Sequence, residues 1–161
     1  MPISTGEFDY IRKLVLDRSA IVLEPGKEYL VESRMLPLLN QEGLKSIDDL
    51  VKKLRTVGSS NGLSDKVVDA LTTNETSFFR DIHPFETFKK HILPEIIEKN
   101  KARRELSIWC GASSSGQEPF TIAMVLRSNF PELDTWKISF ISSDISKEML
   151  DRCRKGHYTQ L

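Results

Sequence analysis

The chain reads as an α + α/β protein, a small N-terminal helical bundle followed by the first βαβ unit of a parallel α/β domain. Two observations lead there. Through residues 1–72 apolar side chains return at helical spacing. Beyond residue 105 the pattern changes to a short apolar run, a loop of small residues, a helix and a second short apolar run. The two halves, 1–72 and 73–161, are read as separate domains, the second beginning with a linker.

Composition narrows the function before any motif does. The 161 residues carry 23 basic and 23 acidic side chains, so no overall field draws the chain to nucleic acid or anionic lipid. Residues 1–73 hold 10 Lys and Arg against 11 Asp and Glu, so neither half departs from balance. No apolar run approaches the ~20 residues needed to span a bilayer. The opening Met1-Pro-Ile-Ser-Thr-Gly-Glu7 has neither the basic start nor the apolar stretch of a signal peptide. Cys110 and Cys153 form no disulfide framework and no CxxC pair. A reduced, cytoplasmic protein without metal is the expectation.

In the first half, Phe8, Ile11, Leu14 and Val15 define one amphipathic helix. The segment from Gly26 to Asn40 follows, with Leu30, Met35, Leu38 and Leu39 as its apolar positions; Pro37 predicts a kink or an early end. Ser46 and Asp49 resemble a capping box with a shortened acid. Behind them Ile47, Leu50, Val51, Leu54 and Val57 share a helical face. Gly58-Ser-Ser-Asn-Gly62 has the composition of a flexible loop. Ser64 is placed to cap a fourth helix carrying Val67, Val68 and Leu71.

The second half opens with a helical stripe of Phe85, Phe88, Ile92, Leu93, Ile96 and Ile97, ending in the charged run 98–104. Lys99, Lys101, Arg103 and Arg104 read either as a solvated helix end, its cations favoured by the helix dipole, or as a partner patch. Leu106 to Gly111 is a strand candidate leading into Ala112-Ser-Ser-Ser-Gly116. Pro119 suits the first turn of the helix that follows, which runs to about Asn129 with Ile122, Ala123 and Leu126 inward. Strand, small-residue loop and helix is the layout of a dinucleotide or adenosyl-cofactor site. Gly111 and Gly116 would let the backbone turn tightly against a ligand. Lys137 to Asp144 is the second strand candidate, and Ser146 is placed to cap its helix. Asp144 could accept both ribose hydroxyls of a nucleoside. It stands 28 residues past Gly116, and the glycines do not spell GxGxxG. An α/β domain whose serine-rich turn merely ends a strand stays open as the plainer reading.

Between the halves lies Leu71-Thr-Thr-Asn-Glu-Thr-Ser-Phe-Phe-Arg-Asp81. Asn74, Thr76 and Arg80 offer an amide, a hydroxyl and a guanidinium suited to a carboxylate, with Phe78 and Phe79 as anchors. A polar linker with an aromatic anchor accounts for the same residues. The combination of Thr-Thr-Asn-Glu-Thr-Ser-Phe-Phe-Arg80, then Trp109-Cys-Gly-Ala-Ser-Ser-Ser-Gly-Gln-Glu-Pro-Phe-Thr-Ile-Ala-Met124, then Ser142-Ser-Asp-Ile-Ser146 resembles the chemotaxis-receptor glutamate methyltransferases of the CheR type. Gly26-Lys-Glu-Tyr-Leu-Val-Glu-Ser-Arg-Met-Leu-Pro-Leu38 is similar to that family's second helix, and Lys147 to Tyr158 to the segment after its acidic residue. The resemblance covers nearly the whole chain. This chain departs from the pattern at Gly111, where relatives often carry Ala, and at Gln117, where they carry Glu.

The resemblance implies a helical domain joined to a Rossmann-like class I methyltransferase domain that uses S-adenosylmethionine and releases S-adenosylhomocysteine. It implies that Asn74, Thr76 and Arg80 line the cofactor site, that Glu118 and Asp144 bind the cofactor, and that Gly111 and Gly116 shape the loop beneath it. Arg80 is the candidate catalytic residue, acting on either the cofactor's carboxylate or the acceptor's. The implied acceptor is a glutamate side chain in the cytoplasmic region of a chemoreceptor. With a pKa near ~4.3 it is already ionised at neutral pH, so neither a metal nor a strong base is required. His83, His91 and His157 accordingly form no base constellation. Lys27 and Arg34 are the candidate docking cations on the second helix, a segment that also carries Glu24, Glu28 and Glu32. The alternatives are a non-catalytic partner-binding module retaining part of the cofactor fold, and a nicotinamide-dependent dehydrogenase, against which the missing GxGxxG speaks. Two strand candidates in residues 106–161 are few for this fold. The chain is therefore expected to be a truncated form whose open sheet edge invites a swapped or self-associated dimer.

Overall fold

The computed structural model of the chain describes residues 3–57 and 62–159. It divides into two compact units, Met1–Thr73 and Asn74–Leu161.

Among the described residues the first unit holds four helices: α1 (Thr5–Ser19), α2 (Glu28–Glu42), α3 (Ile47–Val57) and α4 (Gly62–Leu71). Their buried faces form one apolar core, with Ile11, Val15, Val31, Met35, Leu50, Leu54 and Val67 essentially inaccessible. α1 starts with a full capping box. Ser4 Oγ accepts the Glu7 N–H while the Glu7 carboxylate accepts the Ser4 N–H at 2.6 Å. At α3 the box is modified, for Ser46 Oγ accepts from Asp49 N but Asp49 reaches the N–H of Lys45. The aspartate is one methylene shorter than the usual glutamate.

Four expectations are corrected here. Pro37 does not end α2, which runs on to Glu42. Pro37 lies on the exposed face, where the carbonyl of Ser33 that loses its N–H partner can be hydrated. The helix ends instead at Gly43, left-handed at φ 66°, whose N–H reaches Asn40 O while Leu44 N reaches Leu39 O at 2.9 Å. Val31, not Leu30, supplies the first buried position of α2. Ser64 does not cap α4; it is fully buried inside the first turn of a helix that already begins at Gly62. Of the loop expected over residues 58–62, Gly62 is instead the first residue of α4, and the rest, with the side chain of Val57, lies outside the described residues.

The second unit begins with α5 (Ile82–Thr87), a wide π-helical segment Phe88–Ile92 and α6 (Leu93–Asn100). The widening has a cause in the sequence. Pro94 has no N–H, and its ring would strike the carbonyl four residues back in a regular helix. The Leu93 N–H bonds Phe88 O, five residues earlier, and the turn opens to accommodate the ring. The charged run behind it is solvated, with Lys99 paired to Glu95 and Lys101 to Glu98.

β1 (Glu105–Gly111) and β2 (Lys137–Ser143) pair in parallel, Leu106 beside Ile138 and Trp109 beside Ile141. α7 (Gln117–Asn129) and a 3₁₀ turn at Pro131–Thr135 form the crossover between them, and α8 (Lys147–Lys155) follows β2. One sheet face packs Leu106 and Ile108 against Leu93, Val125 and Leu126. On the other, Trp109 and Ile141 are 74% and 60% exposed. The buried stripe of α7 is Pro119, Thr121, Val125 and Leu126; Ile122 and Ala123 are only half-buried.

Candidate functional site

Both parallel strands deliver their carboxyl ends to the same place, the loop 112–116 and the start of α7. In α/β sheets this is where ligands bind. The loop is held by β2. Ser113 N donates to Ser143 O at 2.9 Å, extending the ladder by one residue. The Asp144 carboxylate then accepts Ser114 N at 2.7 Å on one oxygen and Ser146 N at 2.8 Å on the other. Asp144 thus clamps the loop and starts α8, where Ser146 Oγ caps Met149 N. Each carboxylate oxygen keeps a lone pair for a further donor such as a hydroxyl.

The backbone of the loop is strained, with Ala112 at φ 56° and Ser114 at φ 47°. Gly116 at φ 100° has a second reason to be glycine. A Cβ there would lie 2.5 Å from Cys153 Sγ and 2.8 Å from the Tyr158 hydroxyl. Its close approach is therefore to α8 and the segment behind it, where the sequence suggested a ligand. Gly111 and Ala112, by contrast, are exposed and leave the main chain open.

The segment Asn74–Arg80 is strapped across this loop. Asn74 O accepts from Ser114 Oγ at 2.8 Å, and Phe79 N donates to Thr121 Oγ1 at 3.1 Å. Thr121, fully buried in α7, also donates to Gln117 O. Phe78 meets Tyr158 edge-on at 5.0 Å, and the Tyr158 hydroxyl donates to Ser115 O at 2.7 Å. Arg80 sits between two left-handed residues, Phe79 and Asp81, both at φ 52°. Its guanidinium is half-exposed and folds back onto Glu75, donating to the main-chain carbonyl at 2.7 Å.

Glu118, exposed in the first turn of α7, accepts a hydrogen bond from the thiol of Cys110 at 3.0 Å. Burial, and then the Glu118 carboxylate, push the Cys110 thiol up to about 12. Asn74, Gly116, Glu118 and Asp144 are each tied to the loop or to an element it joins. Among the described residues Thr76 and Arg80 make no hydrogen bond to them. Thr76 instead lines an open groove of about 760 Å³ between the strap, the start of α7 and the end of α8. His83 and His91 are exposed, and His157 lines that groove.

Sequence reasoning missed Ser114, Thr121, Cys110 and Tyr158, which join the strap, loop and helices. Thr121 carried a signal, a polar residue at a core position of an otherwise apolar helical face. Arg34 donates to the carbonyls of Leu71 (3.0 Å) and Thr72 (2.9 Å), ending α4 with a cation from another helix. Lys27 stands 6.0 Å from the Tyr29 ring centroid.

The donor set fits an adenosylated sulfonium cofactor. Two carboxylates, Glu118 and Asp144, flank exposed main chain at Gly111 and Ala112. Ser113 Oγ, buried beside them, has no partner among the described residues.

Comparison with known proteins gives the same outline. The CheR methyltransferase all-alpha domain matches residues 6–72, and the CheR methyltransferase SAM binding domain matches residues 74–161. Chemotaxis protein methyltransferase 1 of Pseudomonas aeruginosa is 39% identical over 165 residues, covering 100% of this chain and 59% of the relative. Chemotaxis protein methyltransferase Cher2 of Pseudomonas putida is 40% identical, covering 98% and 58%; chemotaxis protein methyltransferase 1 of Vibrio cholerae is 40% identical, covering 99% and 57%. The chain spans just under three fifths of the length of these relatives.

Proposed function

The chain belongs to the CheR methyltransferase family, and from that premise we propose that it serves the transfer of a methyl group from S-adenosylmethionine to glutamate side chains of chemoreceptors. The observation that carries this reading is the loop 112–116, clamped by Asp144 at the ends of both strands and crossed by the strap from Asn74.

S-Adenosylmethionine brings a methyl group already activated on sulfur. The residues of this chain then bind and align. Asp144 has oxygen lone pairs for ribose hydroxyls, and Glu118 has a carboxylate for a cationic group. Gly111 and Gly116 shape the loop, while Asn74, Thr76 and Arg80 act from the strap. Arg80 is well suited to a carboxylate, because its contact with Glu75 is half-exposed and readily exchanged. The acceptor glutamate is ionised at neutral pH, so alignment and exclusion of water remain as the protein's contribution.

No helix among the described residues is long and apolar enough to cross a membrane. A cytoplasmic site of action fits a partner in the cytoplasmic region of a chemoreceptor. On α2, Lys27 and Arg34 are the docking cations, Arg34 also holding the end of α4 through one guanidinium nitrogen. The exposed pair Trp109 and Ile141 supports self-association as a further property.

The test is incubation with methyl-labelled S-adenosylmethionine and a chemoreceptor cytoplasmic fragment. The reading expects label released by alkali, as a glutamyl methyl ester must be. Label that resists alkali contradicts it. Cofactor binding without any transfer fits the partner-binding alternative.

A further inference from the structure

Neither Glu118 nor Asp144 lines the groove to which Thr76 belongs, and it meets the loop 112–116 only at Ser115. Its walls are fixed. Tyr158 is held by Ser115 O, flanked edge-on by Phe78 at 5.0 Å and Phe120 at 5.8 Å, and backed by Gly116 against Cys153. Its volume of about 760 Å³ lies within the range of ligand sites.

Its charge is one-sided, although the chain as a whole is neutral. Arg152 and Lys155, one helical turn apart on α8, line it with His157, facing the polar Ser115 and Gln117. Among the described residues no Asp or Glu lines it. Arg152 holds Glu148 at 2.7 Å, but both side chains are 63% exposed, and such a surface pair is easily exchanged. Lys155 makes no ion pair among the described residues. An aromatic wall with two solvated cations is complementary to an extended acidic peptide, whose stems cover the rings while its carboxylates meet the cations. A concave, walled shape does not suit a flat lipid surface.

We propose that this groove docks an acidic segment of the acceptor polypeptide, with Lys155 and Arg152 as the residues that hold it. The assignment rests on the methyltransferase reading, and its test separates the two. An alternating Ala–Glu peptide and its Gln counterpart are titrated into the chain by calorimetry, with S-adenosylhomocysteine in a parallel cell. The proposal expects the Glu peptide to bind, the Gln peptide to bind at least tenfold more weakly, and salt to oppose binding. Lys155→Glu and Arg152→Gln should each weaken the Glu peptide at least tenfold while leaving the melting temperature and S-adenosylhomocysteine affinity unchanged. No Glu-peptide binding beside normal S-adenosylhomocysteine binding overturns the groove and spares the methyltransferase reading. Glu-peptide binding indifferent to both substitutions overturns it as well. Lys155-dependent peptide binding without any S-adenosylhomocysteine binding overturns the acceptor assignment. Capture by phosphatidylserine vesicles in place of the peptide replaces it with a membrane surface.

Discussion

The carboxylate of Asp144 accepts the main-chain N–H of Ser114 at 2.7 Å, joining the end of β2 to the loop that leaves β1. Its second oxygen takes the N–H of Ser146, so one side chain fixes the loop and the start of α8 together. A charged hydrogen bond of this kind contributes about 1.5–3 kcal/mol. Asp144→Ala should speed amide exchange at Ser114 and Ser146 ahead of the strand amides and lower the urea midpoint. Unchanged protection at Ser114 would show that the clamp is not what orders the loop.

Gly116 should tolerate no side chain. Alanine there meets Cys153 Sγ at 2.5 Å and must adopt φ near 100°. A loss of about 2–4 kcal/mol is expected by urea unfolding. Adding Cys153→Ala should recover only part of it, because the Tyr158 hydroxyl at 2.8 Å and the backbone angle remain. Full recovery would mean that the backbone conformation contributes nothing.

Cys110 is 4% exposed and its thiol is held at about 12, chiefly by burial and secondarily by Glu118. At pH 8 iodoacetamide should modify Cys153 at least tenfold faster than Cys110. Glu118→Gln should speed Cys110 only a few-fold, since burial is the larger cause. A fully reactive Cys110 in that variant would reverse the order of the two causes.

Glu42 on α2 accepts from Lys66 on α4 at 2.6 Å and Lys53 on α3 at 2.9 Å, and these ammonium groups hold its carboxyl down at about 2, from 4.5. The folded-state value lies below the unfolded one, so the interaction is fully stabilising above about pH 4.5 and fades as pH falls toward 2. Glu42→Gln should lower the melting temperature at pH 7 by a few degrees. The gap to the parent protein should close between about pH 4.5 and 2. A gap independent of pH would exclude this origin.

Much of the architecture was legible because it rests on local rules. The helical faces of α1 and α3, both strands and the Ser146 cap follow from spacing and from residue types that act within one turn. What stayed hidden depends on neighbours distant in sequence. Pro37 was misjudged because its cost is set by hydration of the facing carbonyl, not by the residue itself. Ser64 was misjudged because a serine in a first turn and a serine at a cap look alike in sequence. Arg34 was legible as a cation on α2, but its hold on the carbonyls of Leu71 and Thr72 was not. Around the loop, Asp144 was legible as an acid after a strand, but its hold on Ser114 was not. Tyr158 gave no local sign that it closes on Ser115, 43 residues back.

The central claim is that the clamped loop and its strap form an adenosyl-cofactor site, and calorimetric titration with S-adenosylhomocysteine tests it most directly. Arg80 sharpens the test. Its side chain is 50% exposed and, among the described residues, bonds only to Glu75, so Arg80→Ala should leave the melting temperature nearly unchanged. Saturable one-to-one binding to the chain is expected, with at least tenfold weaker binding to the Arg80→Ala variant. A folded chain that takes up no S-adenosylhomocysteine, or binds it equally well with and without Arg80, would contradict it.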